Sequence, residues 1–205
     1  MKNYDITKTK LIIWDLDDTF WKGTLSEGGV EFLPEMISFI EELTLKGIMN
    51  SICSKNDFES VKNEFINKGF KRVWDLFIFP SINWLPKGER VKNIINDMNL
   101  RAENVILIDD NISNLNEAKF YSPEIMTAHP DEIKKMSEEL YLVNDYDFEH
   151  TRLKQYKILE EKSTARGESS SEEFLRASGI KICIKHDCLE NIERLKKLIS
   201  RTNQL

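Results

Sequence analysis

Short apolar runs alternate along the chain with longer stretches in which apolar residues recur every three or four positions. This is the pattern of strands buried on both faces and joined by amphipathic helices. Residues 11–14 read as a buried strand ending at Asp15. Residues 34–46 read as a helix, with Pro34 in its first turn and Gly47 past its end. Residues 48–53 predict a second strand. Residues 57–68 predict a helix capped by Asn56 or Asp57 and stopped at Gly69. A third strand is expected over 76–79, closed by Pro80, then a helix over 87–99, a strand over 105–108, a helix from about 113 to 120, and a weaker strand over 124–128. Such βαβα order makes an α/β fold: a mostly parallel sheet with helices on both faces and its site beyond the carboxyl ends of the strands.

After about residue 130 the pattern changes. Residues 131–142 predict one more helix. Residues 151–178 are rich in Glu, Lys, Arg and Ser, with a narrow stripe of Leu153, Tyr156 and Leu159 on a solvated helix and a flexible break at 167–171. Ile180, Ile182 and Ile184 alternate like a half-exposed strand, and Leu189, Ile192, Leu195 and Ile199 form a helical stripe. One strand and one helix bury no core alone. Residues 180–199 are therefore expected to pack on the main domain, on a second copy of the chain, making a homo-oligomer, or on another partner. The expected division is a main domain over 1–150 and a helical and strand extension over 151–205. The candidate residues described below all precede residue 115, so their chemistry is expected to survive loss of 151–205.

The chain has 205 residues, 40% of them hydrophobic, enough for one α/β domain with an appendage. Its net charge of -6, without a long basic run, argues against a nucleic-acid partner. No apolar run is long enough to span a bilayer, and the first residues are polar with no signal segment. Cys53, Cys183 and Cys188 form no CxxC pair, which disfavours a disulfide framework or a zinc site. The expected compartment is the cytoplasm.

The strand ends carry the chemistry. The first delivers Asp15, Leu16, Asp17, Asp18 and Thr19. Two carboxylates one residue apart at the mouth of a parallel sheet repel each other unless a cation compensates, and hard oxygen ligands suit Mg²⁺. The second strand ends at Ser54, Lys55 and Asn56, donors able to hold phosphate oxygens. Lys87 opens the third helix, and the fourth strand ends in Asp109, Asp110 and Asn111. A lone DxD is weak, since Asp clusters often make turns, and Ser54 or Lys87 alone reads as a cap or a solvated lysine. In this order, however, the four elements supply a metal cage, a nucleophile and phosphate clamps for phosphoryl transfer.

As a set, these residues resemble the four motifs of the haloacid dehalogenase (HAD) superfamily over residues 10–130. Asp15–Thr19 resembles motif I, Ser54 motif II, Lys87 motif III, and Asp109-Asp110 motif IV. The resemblance implies a Rossmann-like sheet and makes Asp15 the nucleophile and an Mg²⁺ ligand. Asp17 becomes the general acid/base, its backbone carbonyl also touching the metal. Ser54 and Lys87 hold the phosphoryl group, Lys87 steadies Asp15, and Asp109 and Asp110 complete the metal site. The segments DLDDTFWKGTL, ICSKND, INWLPKGERVKNI, LIDDN and SRTNQL further resemble the FkbH-like branch (class IIIC). Its members take a glyceryl unit from 1,3-bisphosphoglycerate, remove the phosphate and load the acyl group onto an acyl carrier protein, a step of polyketide biosynthesis. Asp18 and Phe20 stand where Asn and Leu are common in that branch. By this resemblance residues 180–205 open an acetyltransferase-like second domain, cut short at Leu205.

Cys53 has two readings, a small buried hydrophobe or an acyl thioester carrier beside the phosphate site. Trp14 and Trp74 read as core, Trp21 and Trp84 as walls of the site. The fourteen or so residues between Thr19 and Pro34 leave room for a flap but no globular cap, so the mouth should be open to a bulky or tethered substrate. A general phosphomonoesterase acting on a small phosphorylated metabolite or a phosphoprotein is the rival enzyme. A non-catalytic docking module is the rival of another class, and the intact acidic set argues against it.

Overall fold

In a computed structural model, which describes residues 4–168 and Ile192, the chain begins with β1 (Leu11–Trp14), β2 (Trp21–Lys22), β3 (Glu31–Phe32), α1 (Pro34–Leu45), β4 (Met49–Ser54), α2 (Phe58–Asn67) and α3 (Lys71–Trp74). It continues through β5 (Ser81–Ile82), α4 (Lys87–Asp97), β6 (Val105–Ile108), α5 (Ile112–Tyr121), β7 (Met126–Ala128), α6 (Ile133–Glu139) and α7 (Thr151–Glu168). Five strands form one parallel sheet in the order β5-β4-β1-β6-β7. All four β1 side chains are buried, and they show no alternation because helices cover both faces. Ile12 and Trp14 join the core with Phe39 of α1, Phe65 of α2 and Met136 of α6. Leu11 and Ile13 join the opposite core with Val91 of α4 and Leu115 of α5.

Register places the site. Trp14 pairs with Ile52 of β4 and Ile108 of β6, so Asp15, Ser54 and Asp109 emerge along one edge of the sheet. Asp15 N–H continues the ladder to the Ile108 carbonyl at 2.9 Å. Gly88 allows the start of α4 to lie against α5: a Cβ there would come within 2.5 Å of the Tyr121 ring and 2.9 Å of the Glu117 carbonyl oxygen. That close approach seats Lys87 under the sheet edge.

The flap is the antiparallel pair β2–β3, closed by a short 3-10 turn at Leu25–Glu27. It is held down by aromatic packing. Phe32 stacks on Phe70 at 4.7 Å and meets Phe65 edge-on at 4.9 Å, while Trp21 meets Phe32 edge-on at 5.4 Å.

Several expectations are corrected. Residues 76–79 are not a strand. Phe77 makes a single bridge to Asn50, and Phe79 has φ of 49°, a left-handed conformation outside the β region. The edge strand lies beyond Pro80, at Ser81–Ile82, and the short helix α3 precedes the apolar run. Phe77 and Ile78 are buried, so the run is apolar for burial rather than for pairing. The helix expected over 131–142 is divided into a 3-10 turn at Pro130–Glu132, α6, and a second 3-10 turn at Leu140–Leu142. α7 continues through Gly167, where a break was expected. The strand and helix expected between 180 and 199 lie outside the described residues, apart from Ile192, which is helical and exposed.

The chain divides into two compact units, Met1–Thr164 and Ala165–Leu205. Within the first, α7 is bonded to the sheet domain. Leu153 and Tyr156 pack on the core beneath α4 and α5. Arg152 donates to the Gly47 carbonyl at 3.1 Å, Lys157 to the Phe77 carbonyl, and the Phe79 N–H donates to Glu160 at 2.7 Å. No helix among the described residues is long and apolar enough to cross a membrane.

Candidate active site

Asp15 sits at the end of β1 and is almost wholly buried. Its Oδ1 accepts from Lys87 Nζ at 2.7 Å and from Ser54 Oγ at 2.8 Å. Lys87, the first residue of α4, is 1% exposed and also reaches Asp109 Oδ2 at 2.7 Å. Burial alone would lower the lysine's pKa, but the charges of Asp15 and Asp109 outweigh it and hold the ammonium above its ordinary value. Burial pushes the Asp15 carboxyl up, opposed by Lys87 and reinforced by Asp109.

The two aspartates after β6 have different surroundings. Asp109 is fully buried and bonded at both oxygens. Oδ1 accepts from the Asn111 N–H at 2.9 Å and Asn114 Nδ2 at 3.0 Å, and Oδ2 from Lys87 and, at 3.2 Å, Asn114. Asp110 is exposed, and its N–H donates to Thr19 Oγ1 at 3.1 Å. Burial, and then the Asp15 charge, raise its carboxyl. Carboxylate oxygens of Asp15, Asp109 and Asp110 all lie within 4.8 Å of one another. Lys87 supplies one positive charge against three crowded carboxylates, two of them shifted up. A hard divalent cation would relieve that repulsion through oxygen ligands, so this donor set fits Mg²⁺.

Asp17 is held to one side of this cluster. Its Oδ1 accepts from Trp21 Nε1 at 2.9 Å and the Leu25 N–H at 3.1 Å, both from the flap, and its Oδ2 from Asn56 Nδ2 at 3.0 Å. Asn56 also donates to Ser54 Oγ at 3.2 Å. Asp15, Asp17, Ser54, Lys55, Lys87 and Asp110 share a pocket of about 240 Å³, in which Lys55 is exposed. On the other side of Asp18 and Thr19 lies a larger groove of about 760 Å³ between the flap, α1 and α6, with Trp21, Met36 and Ile133 in its wall.

The structure thus brings together Asp15, Asp17, Ser54, Lys87, Asp109 and Asp110, as their order along the chain predicts. Lys55 lines the mouth without a bond to the cluster among the described contacts, and Asn56 turns to Asp17 and Ser54. Cys53 is fully buried against the α4 side of the sheet, its Sγ 4.0 Å from the Lys87 carbonyl, and burial pushes the thiol up to about 11. That placement favours the buried-hydrophobe reading. Trp14 is core, its Nε1 donating to Asn50, and Trp84 is exposed.

Three contributors were not foreseen. Asn114 fixes Asp109 from one turn inside α5, where only its spacing from Asn111 gave a signal. Trp21 Nε1 holds Asp17, although the residue read only as a wall. Arg90 is buried and donates to the carbonyls of Ser54 (2.9 Å), Asn83 (2.9 Å), Leu85 (3.0 Å) and Ser81, which locks the end of β4 to the loop before α4.

No protein-family model and no curated protein matches the sequence. Among solved structures, the chain is similar to the N-terminal part of a Bacteroides fragilis protein containing a phosphatase domain, complexed with Mg. The TM-score is 0.56 at 22% identity, over 68% of this chain and 41% of that one. It is also similar to 3-deoxy-D-manno-octulosonate 8-phosphate phosphatase from Moraxella catarrhalis, in complex with magnesium, phosphate and KDO (TM-score 0.41, 17% identity, 54% of this chain and 63% of that one). A HAD-superfamily hydrolase from Ehrlichia chaffeensis gives a TM-score of 0.48 at 14% identity, over 69% of this chain and 99% of that one. The chain spans about two fifths of the Bacteroides chain and under two thirds of the Moraxella one. With its five parallel strands in the order given and its two-stranded flap, the chain has a Rossmann-like α/β fold similar to that of the Bacteroides structure, and at its strand ends it carries an aspartate cluster suited to a metal ion.

Proposed function

We propose that the chain is an Mg²⁺-dependent HAD-type phosphatase that works through an aspartyl-phosphate on Asp15. The observation that carries this reading is the clamp on Asp15: Lys87 and Ser54 both bond Oδ1, inside a cluster of carboxylates at the sheet edge. Oδ2 is then the oxygen left to attack phosphorus. As the Oδ2–P bond forms, the bond from phosphorus to the leaving oxygen breaks, and Asp17 supplies a proton to that oxygen when it needs one. Asp17, now a carboxylate, takes a proton from water as that water attacks phosphorus, and the bond to Asp15 breaks. Lys87 and Ser54 keep Asp15 oriented throughout. Asp15, Asp109, Asp110 and the Asp17 backbone carbonyl would hold Mg²⁺. Bound there, the ion would offset the charge of the phosphoryl oxygens and so let a carboxylate approach a phosphate dianion.

The finer reading is a phosphatase of the FkbH-like kind, which removes phosphate from 1,3-bisphosphoglycerate and passes glyceryl to an acyl carrier protein. It is supported by the motif segments around Asp15, Ser54, Lys87 and Asp109. The small pocket under a flap without a globular cap also supports it, since most of a large or tethered substrate must lie outside. The test is intact-mass spectrometry of an acyl carrier protein incubated with the chain, Mg²⁺ and 1,3-bisphosphoglycerate. The expected result is a glyceryl adduct with release of phosphate. Phosphate release from an unmodified carrier would leave the general phosphomonoesterase in its place.

A further inference from the structure

We propose that Asn56 is a positioning residue: its side-chain amide sets the Asp17 carboxylate for proton transfer and ties it to Ser54 and the nucleophile. This rests on the phosphatase reading above and deepens it.

From sequence, Asn56 reads as a phosphate ligand or a helix cap, and the structure engages its side chain elsewhere. The cap of α2 is Asp57, whose Oδ1 accepts from the Ser60 N–H at 2.9 Å. A primary amide has two N–H donors. Asn56 places both, one on Asp17 Oδ2 at 3.0 Å and one on Ser54 Oγ at 3.2 Å, and the residue is 3% exposed. No N–H of that amide remains for a phosphate oxygen.

What Asn56 completes is an unbroken chain of bonds. Trp21 Nε1 and the Leu25 N–H grip Asp17 Oδ1 from the flap, and Asn56 grips Oδ2 from the end of β4. From Asn56 the chain continues through Ser54 Oγ to Asp15 Oδ1, and from there to Lys87 and Asp109. Asp17 Oδ1 has two donors. Oδ2 has one and keeps a lone pair for the proton, so it is the oxygen able to exchange a proton in the pocket. Without Asn56 the carboxylate is held on one side only and is free to turn.

The test isolates proton donation by the choice of leaving group and by reading the first turnover, since Asp17 also serves as base in the second step, which both esters share. p-Nitrophenol departs as a stable anion without a proton, whereas an alkyl alcohol needs one. First-turnover release of p-nitrophenol and of the alkyl alcohol is measured with Mg²⁺ for wild type, Asn56→Ala, Asn56→Ser, Asp17→Asn and the double variant Asp17→Asn with Asn56→Ala. Loss of one hydrogen bond to a charged group predicts that Asn56→Ala lowers the first-turnover rate on the alkyl phosphate by about ten- to a hundredfold. The fall on p-nitrophenyl phosphate should be only about threefold. Asn56→Ser should fall selectively too, and in the Asp17→Asn background Asn56→Ala should cost nothing further on the alkyl ester. Equal losses on both esters in both Asn56 variants, or a multiplied loss in the double variant, would overturn the inference while leaving the phosphatase reading intact. A wild-type chain inactive on both esters would overturn the reading and the inference together.

Discussion

Cys53 and Ser54 are neighbours on one strand and meet opposite environments. Ser54 lines the pocket at the sheet edge, while Cys53 lies in the apolar core under α4, with its thiol raised by burial from 9.0 to about 11. This alternation follows from the two-residue period of a strand and was legible before the structure. So were Asp15, Ser54, Lys87 and Asp109, because each stands at a strand end or a helix start. The burial of Cys53 predicts its reactivity. A thiol near 11 carries about a hundredfold less thiolate at pH 8 than one near 9, and the neutral thiol does not react. Iodoacetamide should therefore leave Cys53 unlabelled in the folded chain at pH 8, with labelling rising only as pH approaches 11 or when urea unfolds the chain. Peptide mass mapping reads this directly. Labelling of folded Cys53 at the rate of a free thiol would reopen the thioester role. Asn56 and Asn114 were harder to read, because their work is a side-chain bond to a residue 39 positions away and to one a helical turn back.

Elements were legible where one physical cause dominated. β1 and β6 are continuous apolar runs because both sheet faces are covered, and α1, α2 and α4 show clear starts. The apolar run at 76–79 misled because burial and strand pairing leave the same signature in sequence, and only the backbone of Phe79 separates them. α7 illustrates the reverse. Its composition is that of a solvated helix, yet it covers the lower core with Leu153 and Tyr156 and bonds Gly47, Phe77 and Phe79 through three polar side chains. Two apolar side chains and those bonds together contribute roughly 3 kcal/mol. A chain ending at residue 150 should therefore melt about 6–12 °C below one ending at residue 168. Equal melting temperatures by circular dichroism would show that α7 rests on the core without supporting it. The boundary of the unit that holds the sheet thus lies in the last turn of α7, after Thr164, later than the change in composition near residue 150.

At the scale of the whole molecule, the sheet gathers carboxylates from two strands 94 positions apart in sequence onto one edge and gives them a single buried ammonium, which Asp15 and Asp109 share. That imbalance suits a divalent cation as counter-charge, and on the proposed reading it leaves Asp15, clamped at one oxygen, as the nucleophile. The measurement that meets this claim most directly is phosphate release from p-nitrophenyl phosphate by wild type and Asp15→Asn, each with Mg²⁺ and with EDTA. Asn keeps the size of Asp15 and removes the attacking oxygen's charge. Wild type should release phosphate with Mg²⁺ and fall to background with EDTA, and Asp15→Asn should lie at least about a thousandfold below wild type, since a lost nucleophile costs at least about 4 kcal/mol of barrier. An Asp15→Asn chain that turns over within a few-fold of wild type would contradict the aspartyl-phosphate account.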